Sequence, residues 1–403
     1  MRLFVVIVLL VLQSLAFSAN WEGVGQVSCG TLIASWVRKG PTPDELVRRG
    51  IVFDSPRDNQ DFTYLGRGTY SQVWRGFAAN NKGGRIPVII KMTKPKKAEY
   101  LDRALIYIER EHTLLSRISP ETTHLIKSGD TKYLVTEVIP RDPQHPTEPA
   151  YTLFEILESP QLFSEDLAHL DSGKSLNARY AVARSIVAAM QALHEKRIIH
   201  GDVQAKNILL AQRQDGSPFA HFIDYGFSSG PSVPPLSGTY GSRLALKNPK
   251  GEAFLAKETT PLRDWQAMRL VLLEVFSEKK MTVSNPETAS RLSEMEFLLK
   301  SSLPLDSSNY AKWLTPIKSR KQFLEQFAQE WTSTFKTTTD VDLKIDLISD
   351  LVLLNPAFGS EVLEHLPHEF QKVVIEDAVL GEFKSFLKLP KVREIREKIG
   401  DPK

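Results

Sequence analysis

Asp202, Asn207 and Asp224 are the residues whose types and spacing could do chemistry. The first two stand five apart in IIHGDVQAKNILL, residues 198–210, and the third follows seventeen residues later in FIDYG. Each sits at the edge of a β-like run. One carboxylate can orient and deprotonate an attacking hydroxyl. An amide oxygen and a second carboxylate can hold Mg²⁺ against the phosphates of a nucleotide. Acid, amide and acid in that order suit phosphoryl transfer from ATP.

Elements upstream must supply the nucleotide's remaining contacts. Gly66, Gly68 and Ser71 lie in G-R-G-T-Y-S, with Val73 two further on. A glycine turn between strands lets backbone N–H groups approach phosphates without a side chain in the way. Lys91 ends the apolar run IPVIIK. A lysine at a strand end is ordinarily a solvated surface charge, but its place after a glycine turn gives this one a use. Residues 98–118 carry helical periodicity and contain Glu109 and Glu111, either of which could face that lysine. Leu114 and Leu115 favour the face of Glu111.

The complete set resembles the protein kinases, whose H-R-D-x-x-x-x-N and D-F-G elements stand here as HGD with Asn207 and as DYG. The resemblance covers roughly residues 60–280. It implies that Asp202 receives the proton of the acceptor hydroxyl and that Asn207 and Asp224 ligate Mg²⁺. It implies that Lys91, paired with Glu111, steers the phosphates, and that Val73 covers the adenine. Thr136, in the strand-like run 133–139, would stand beside the adenine, and backbone groups of Glu137 and Ile139 would bind its edge. Asp264, in RDWQAMRLVLLEVF, would anchor the backbone around Asp202. A helix N-cap is the other use for an aspartate in that position.

The departures carry expectations too. Gly201 replaces the arginine that pairs with a phosphorylated activation loop, so control by loop phosphorylation is not expected. Gln204 occupies the place of a phosphate-contacting lysine, with Lys206 the nearest substitute. GTYG, residues 238–241, resembles the start of a substrate-docking loop, but ALKNP stands where A-P-E is expected. HGD and DYG together are most like the vaccinia-related branch of the casein kinase 1 group. They also resemble the aminoglycoside and choline kinases. The expected function is a serine/threonine protein kinase using ATP and Mg²⁺. A catalytically weak pseudokinase that binds partners and a small-molecule kinase are the alternatives.

A β-rich first part followed by a helical second part predicts an α+β, bilobal, protein-kinase-like fold with a β-rich N-lobe and a helical C-lobe. A hairpin with a polar turn at residues 80–84 feeds a third strand. Residues 181–193 and 264–276 read as apolar helices. Beyond Met281 the pattern is helical, with Pro286, Pro304, Pro316, Pro356, Pro367 and Pro390 as breakers. The expected divisions are 1–19, 20–60, 61–300 for the kinase-like domain, and 301–403 for a helical C-terminal region. Residues 42–45, TPDE, form a capping-box pattern in the second division.

Residues 1–19 begin with Arg2 and a ten-residue apolar run at 3–12, followed by Ala16, Ser18 and Ala19. This predicts a cleaved signal peptide and a secreted or lumenal product, with an uncleaved membrane anchor as the alternative. A span needs about 20 apolar residues, so no stable membrane span is expected after cleavage. Cys29 is the only cysteine, which excludes an intramolecular disulfide. A net charge of +3, from 51 basic and 48 acidic residues, argues against nucleic acid or an anionic membrane as the main partner. The expected partner is a protein carrying a serine or threonine hydroxyl.

Overall fold

The computed structural model describes residues 63–79, 85–95, 97–120, 122–128, 131–159, 174–235, 246–247, 253–254, 260–277, 286–315 and 319–400. The apolar leader, the extension with Cys29 and its capping-box pattern, the turn at 80–84 and the GTYG run lie outside the described residues. The chain divides into two compact units, with residues 63–159, 184–235 and 260–264 in the first.

In the first unit, β1 (Thr63–Arg67), β2 (Ser71–Ala79), β3 (Arg85–Thr93), β4 (Thr123–Ser128) and β5 (Thr131–Glu137) form one sheet. The order is β1-β2-β3-β5-β4, and every neighbouring pair is antiparallel. Side chains alternate across a strand, so β3 sorts its residues onto two faces. Val88 and Ile90 join Ala78, Ile126, Tyr133 and Val135 in an apolar cluster covered by Trp74, Ile86 and Met92. Lys91, one residue out of phase, belongs to the opposite face. The expected third strand and the strand before the hinge are present. β4 was not anticipated, because THLIKS is short and half polar.

Helix α1 (Leu101–Ile118) buries Ala104, Tyr107, Ile108, Glu111, Leu114, Leu115 and Ile118. These positions recur every three or four residues, so one stripe faces inward and carries Glu111 with it. β6 (Tyr151–Thr152) leads into α2 (Leu153–Glu158) through a capping box. Glu155 N donates to Thr152 Oγ1 at 3.1 Å, and Thr152 N donates to Glu155 Oε2 at 2.8 Å. The T-x-x-E signature at Thr152 and Glu155 marks this helix start in the sequence. Helix α3 (Lys174–Glu195) runs up to the HGD segment. β7 (Ile208–Gln212) and β8 (Pro218–Phe222) follow, and a second sheet has the order β6-β7-β8. The two-residue strands β9 (Leu246–Lys247) and β10 (Ala253–Phe254) pair with each other.

The second unit holds β9, β10 and residues 174–183 of α3, and is otherwise helical. Its elements are α4 (Pro261–Val275), whose first turn belongs to the first unit, α5 (Pro286–Lys300), α6 (Ser307–Trp313) and α7 (Arg320–Thr337). Then come α8 (Val341–Ser349), α9 (Pro356–His365), α10 (His368–Leu380), α11 (Lys384–Leu387) and α12 (Pro390–Lys398). Pro286, Pro356 and Pro390 are first residues of helices, and Pro367 is an N-cap. These prolines start helices as much as they end them, since the first turn has no use for the missing N–H. The core here is aromatic. Trp313, Phe323, Phe327 and Trp331 are each 1% exposed or less, and Trp331 Nε1 donates to Leu347 O at 2.9 Å. The architecture is the α+β, bilobal fold class expected from the sequence: a five-stranded antiparallel sheet first, helices after.

Candidate active site

β3, α1 and the loop after β8 bring three charges together. Lys91 Nζ donates to Glu111 Oε2 at 2.6 Å and to Asp224 Oδ1 at 2.8 Å. Lys91 and Glu111 are buried, whereas the Asp224 side chain is 31% exposed. Burial disfavours the lysine's charge, but the Asp224 and Glu111 carboxylates outweigh it and hold the ammonium above its ordinary range. Asp224 is held below the usual carboxylate range: burial pushes it up, and Lys91 more than reverses that. Burial pushes Glu111 up to about 7, with Lys91 opposing the rise and Asp224 adding to it.

Of the two candidate glutamates, Glu111 meets the lysine. Glu109 lies off the buried stripe and pairs instead with Lys132 and, at 3.4 Å, with Lys127. Two residues along the helix separate a buried ion pair from a partly exposed one.

Asp202 is 5% exposed. Its Oδ2 accepts from Asn207 Nδ2 at 2.9 Å, and its backbone carbonyl accepts from the same amide at 2.9 Å. Its Oδ1 has no partner among the described residues. Burial first, then the charge of Asp224, raise its carboxyl above the ordinary range. A buried, unpartnered carboxylate oxygen is costly unless something comes to meet it. It is the acceptor a substrate hydroxyl would need. The Asn207 amide nitrogen is committed to Asp202, which leaves its side-chain oxygen to offer a cation.

The loop under Asp202 is fixed from several sides. Asp264, in the first turn of α4, accepts from His200 N at 2.7 Å and from Gly201 N at 2.9 Å. It also bonds His194 Nε2 at 2.9 Å. It acts as a loop anchor, and the N-cap alternative does not describe it, because α4 begins three residues earlier. The His200 ring bridges two strand ends. Nε2 donates to Ile223 O at 2.9 Å, and Nδ1 accepts from Asp202 N at 3.3 Å, a tautomer assigned by these partners. Ile223 N donates in turn to Asn207 O at 2.9 Å. Gly201 has φ +74°, and a Cβ there would sit 2.9 Å from Phe227 O, so any side chain would be both strained and crowded. Asp224 adopts a left-handed φ of 65° without being glycine. Such strain persists only where surrounding contacts enforce it, and it clusters at functional sites.

The remaining candidates line the sheet. Gly66 pairs with Val73 across β1 and β2, and Val73 pairs with Lys91 across β2 and β3. Gly68 N donates to Ser71 O at 2.9 Å, closing the glycine turn. Ser71, Val73 and Thr136 are buried. Past β5, Val138 N is spent on Pro87 O at 3.1 Å, and Ile139 O on Ala150 N at 2.9 Å. Among the described residues the Ile139 N–H has no protein partner, so it could donate to a purine edge. Sequence reading missed His194, His200 and Ser228, whose hydroxyl donates to His200 O at 2.7 Å. Most of their partners are distant in the chain, and the one local signal is that His200 opens the HGD motif, two residues before its partner Asp202.

The chain matches the family described as Protein kinase domain over residues 60–338. It is 28% identical over 165 residues to calcium-dependent protein kinase 5 of Plasmodium berghei, covering 41% of this chain and 25% of that one. It is 35% identical over 98 residues to serine/threonine-protein kinase PknD of Mycobacterium tuberculosis, covering 24% and 14%. It is 23% identical over 312 residues to NUAK family SNF1-like kinase 2 of Rattus norvegicus, covering 74% and 44%. The chain thus spans less than half the length of each of these relatives. With the matched region covering well over half of its residues, the chain belongs to the protein kinase family.

Proposed function

We propose that this protein transfers the γ-phosphoryl group of ATP to a serine or threonine hydroxyl of a protein. The observation that carries the reading is the pairing of two features. Lys91 is fixed by Glu111 and Asp224, while Asp202 offers a buried oxygen with no partner. Asp202 orients the hydroxyl and takes its proton as the oxygen bonds to phosphorus and ADP leaves. Lys91, held by Glu111, meets the phosphates, and the turn with Gly66, Gly68 and Ser71 approaches them with backbone N–H groups. Val73 covers the adenine, and Glu137 and Ile139 supply backbone contacts to its edge.

Asn207 and Asp224 would hold Mg²⁺. Two hard oxygen donors beside phosphates are the set this ion prefers to an all-protein cage. The ion supplies charge neutralisation across the phosphates. Lys206 follows Gln204 in the same turn, and its charge acts on both Asp202 and Asp224. It is the cation available where a phosphate-contacting lysine is missing.

Transfer of label from γ-labelled ATP tests the reading, with protein and small-molecule acceptors offered in parallel. Label should appear on serine or threonine of a protein and require Mg²⁺. Transfer only to an aminoglycoside or choline would assign a small-molecule kinase. ATP binding with no transfer to any acceptor would assign a binding module.

Within the family, HGD and DYG support a place near the casein kinase 1 and vaccinia-related group. The apolar run at residues 3–12 and the small residues behind it support a secretory location. N-terminal sequencing of the protein from medium or lumen should find a chain beginning at residue 19 or 20, whereas a chain retaining Met1 would favour the anchor. Among the described residues no helix is long and apolar enough to cross a membrane.

A further inference from the structure

Helix α1 carries two arginines that reach into the chain just after Asp224-Tyr225-Gly226. Arg110 Nη2 donates to Ser228 O at 2.7 Å and to Pro234 O at 2.7 Å. Arg117 Nη2 donates to Ser232 Oγ at 2.8 Å. Among the described residues no carboxylate lies within ion-pair distance of Arg110, so its charge is met by peptide carbonyls. The segment that receives these bonds is itself built. Ile199 and Ser229 exchange backbone bonds at 2.8 and 2.9 Å, and Gly230 and Val233 do so at 2.9 Å each way. Ser232 stands at φ 68° inside that tight turn. Gly230 packs so closely that a Cβ would lie 3.1 Å from Leu114 Cδ2 and 3.2 Å from Arg197 O.

Arg110 adjoins Glu111 on one rigid helix. Moving α1 far enough to part Glu111 from Lys91 would therefore also break the bonds to residues 228, 232 and 234. We propose that Arg110, supported by Arg117, is a positioning residue that latches α1 to this segment, keeping the Lys91–Glu111 pair closed with no phosphate on the segment. Gly201 is the complement of that latch. The position beside Asp202 carries no cation and has no room for one, and the cations come from α1 instead. The catalytic part of this inference rests on the proposed phosphotransferase activity, whereas the latch itself does not.

Two readouts separate the two. Hydrogen exchange of the full chain without nucleotide reads the latch directly. Arg110→Ala should speed exchange in both 101–118 and 228–235, whereas Arg103→Ala, at an exposed position of the same helix, should not. In turnover, Arg110→Ala should lower kcat roughly 10- to 100-fold, as the closed population falls. The KM for ATP should change by less than about threefold, because Asp224 still holds Lys91. Arg110→Lys keeps the charge but not the planar guanidinium whose Nη2 donates to both carbonyls, and should fall between. Phosphatase-treated protein should keep its kcat. Unchanged exchange in Arg110→Ala overturns the latch, and loss of turnover on phosphatase treatment overturns its independence from phosphate. If Arg110→Ala does not fold, Arg110→Lys and Arg117→Ala must show the same exchange pattern at smaller amplitude, or the latch is wrong. If the parent transfers phosphate to nothing, the activity reading has failed, and the exchange result still decides the latch.

Discussion

The two units of this chain, each taken by itself, treat their buried charges differently. The second buries tryptophan and phenylalanine against one another, and the charges it buries are met by partners: Glu294 by Arg291 and Arg320, and Asp350 by Ser302. Phe297, Phe323 and Phe358 meet at ring separations of 4.4 to 6.0 Å. The first unit buries charge. Lys91, Glu111, Asp202 and Asp264 are all nine-tenths buried or more, Asp224 sits in a left-handed conformation, and Asp202 keeps an oxygen without a partner. A buried ion pair is a poor way to gain stability, because desolvation consumes most of the attraction. Among the described residues, carboxylate oxygens that are buried without a partner belong to Glu111 and Asp202 of the first unit, so reactivity is concentrated there and packing in the other. Changes in the helical unit should alter how well the chain folds. Changes in the charged site should alter what the folded chain does.

Trp331→Ala tests the first half of that contrast and should have the largest effect on stability. Removing a fully buried indole costs about 3–5 kcal/mol. Denaturant unfolding should show that loss, and kcat and KM of the folded fraction should be unchanged at low temperature. A collapse of kcat at unchanged stability would contradict the division. Glu111→Gln tests the second half with a smaller change. It keeps the shape but removes the charge that holds Lys91, and kcat should fall roughly tenfold or more.

The pH profile sharpens this test. Glu111 is pushed up to about 7, above its ordinary 4.5, so the folded state holds its proton longer than the unfolded one. Its contribution to stability therefore declines as pH rises from about 4.5 to 7. The ion pair with Lys91, in contrast, forms only as the carboxyl ionises. The kcat of the parent should rise with pH through about 7, and that limb should be missing from Glu111→Gln. Glu109→Gln should give the smallest effect of the series. Its pairs with Lys132 and Lys127 lie at a partly exposed edge, worth at most ~1 kcal/mol, and the pH limb should survive.

The polar half of the molecule was more legible than the apolar half. Asp202, Asn207 and Asp224 declare themselves by spacing, and Lys91 by its place after a glycine turn. The choice of Glu111 over Glu109 followed from helical periodicity, and Glu111 lies on the buried stripe of α1. What the sequence did not disclose is long-range. Asp264 could be read as an anchor or as a cap, and only the bonds to His200 and Gly201 decide it. The roles of His194, His200 and Arg110 depend on partners between 23 and 124 residues away, which no local pattern encodes. The helical unit showed its periodicity and its prolines. Its ring-to-ring packing could not be foreseen, because aromatic residues in an amphipathic pattern do not specify which ring meets which.

The central claim is that Asp202 acts in the chemical step while Asn207, Asp224 and Lys91 hold the nucleotide. Asp202→Asn measures it most directly, since the substitution keeps size and hydrogen bonding but removes the base. Single-turnover transfer and nucleotide affinity should be measured on the same preparation. Transfer should fall by about 10² to 10⁴, the usual contribution of a general base, with affinity for Mg-ATP within a few-fold of the parent. Full transfer by Asp202→Asn would contradict the account, as would a loss of transfer explained entirely by lost nucleotide binding.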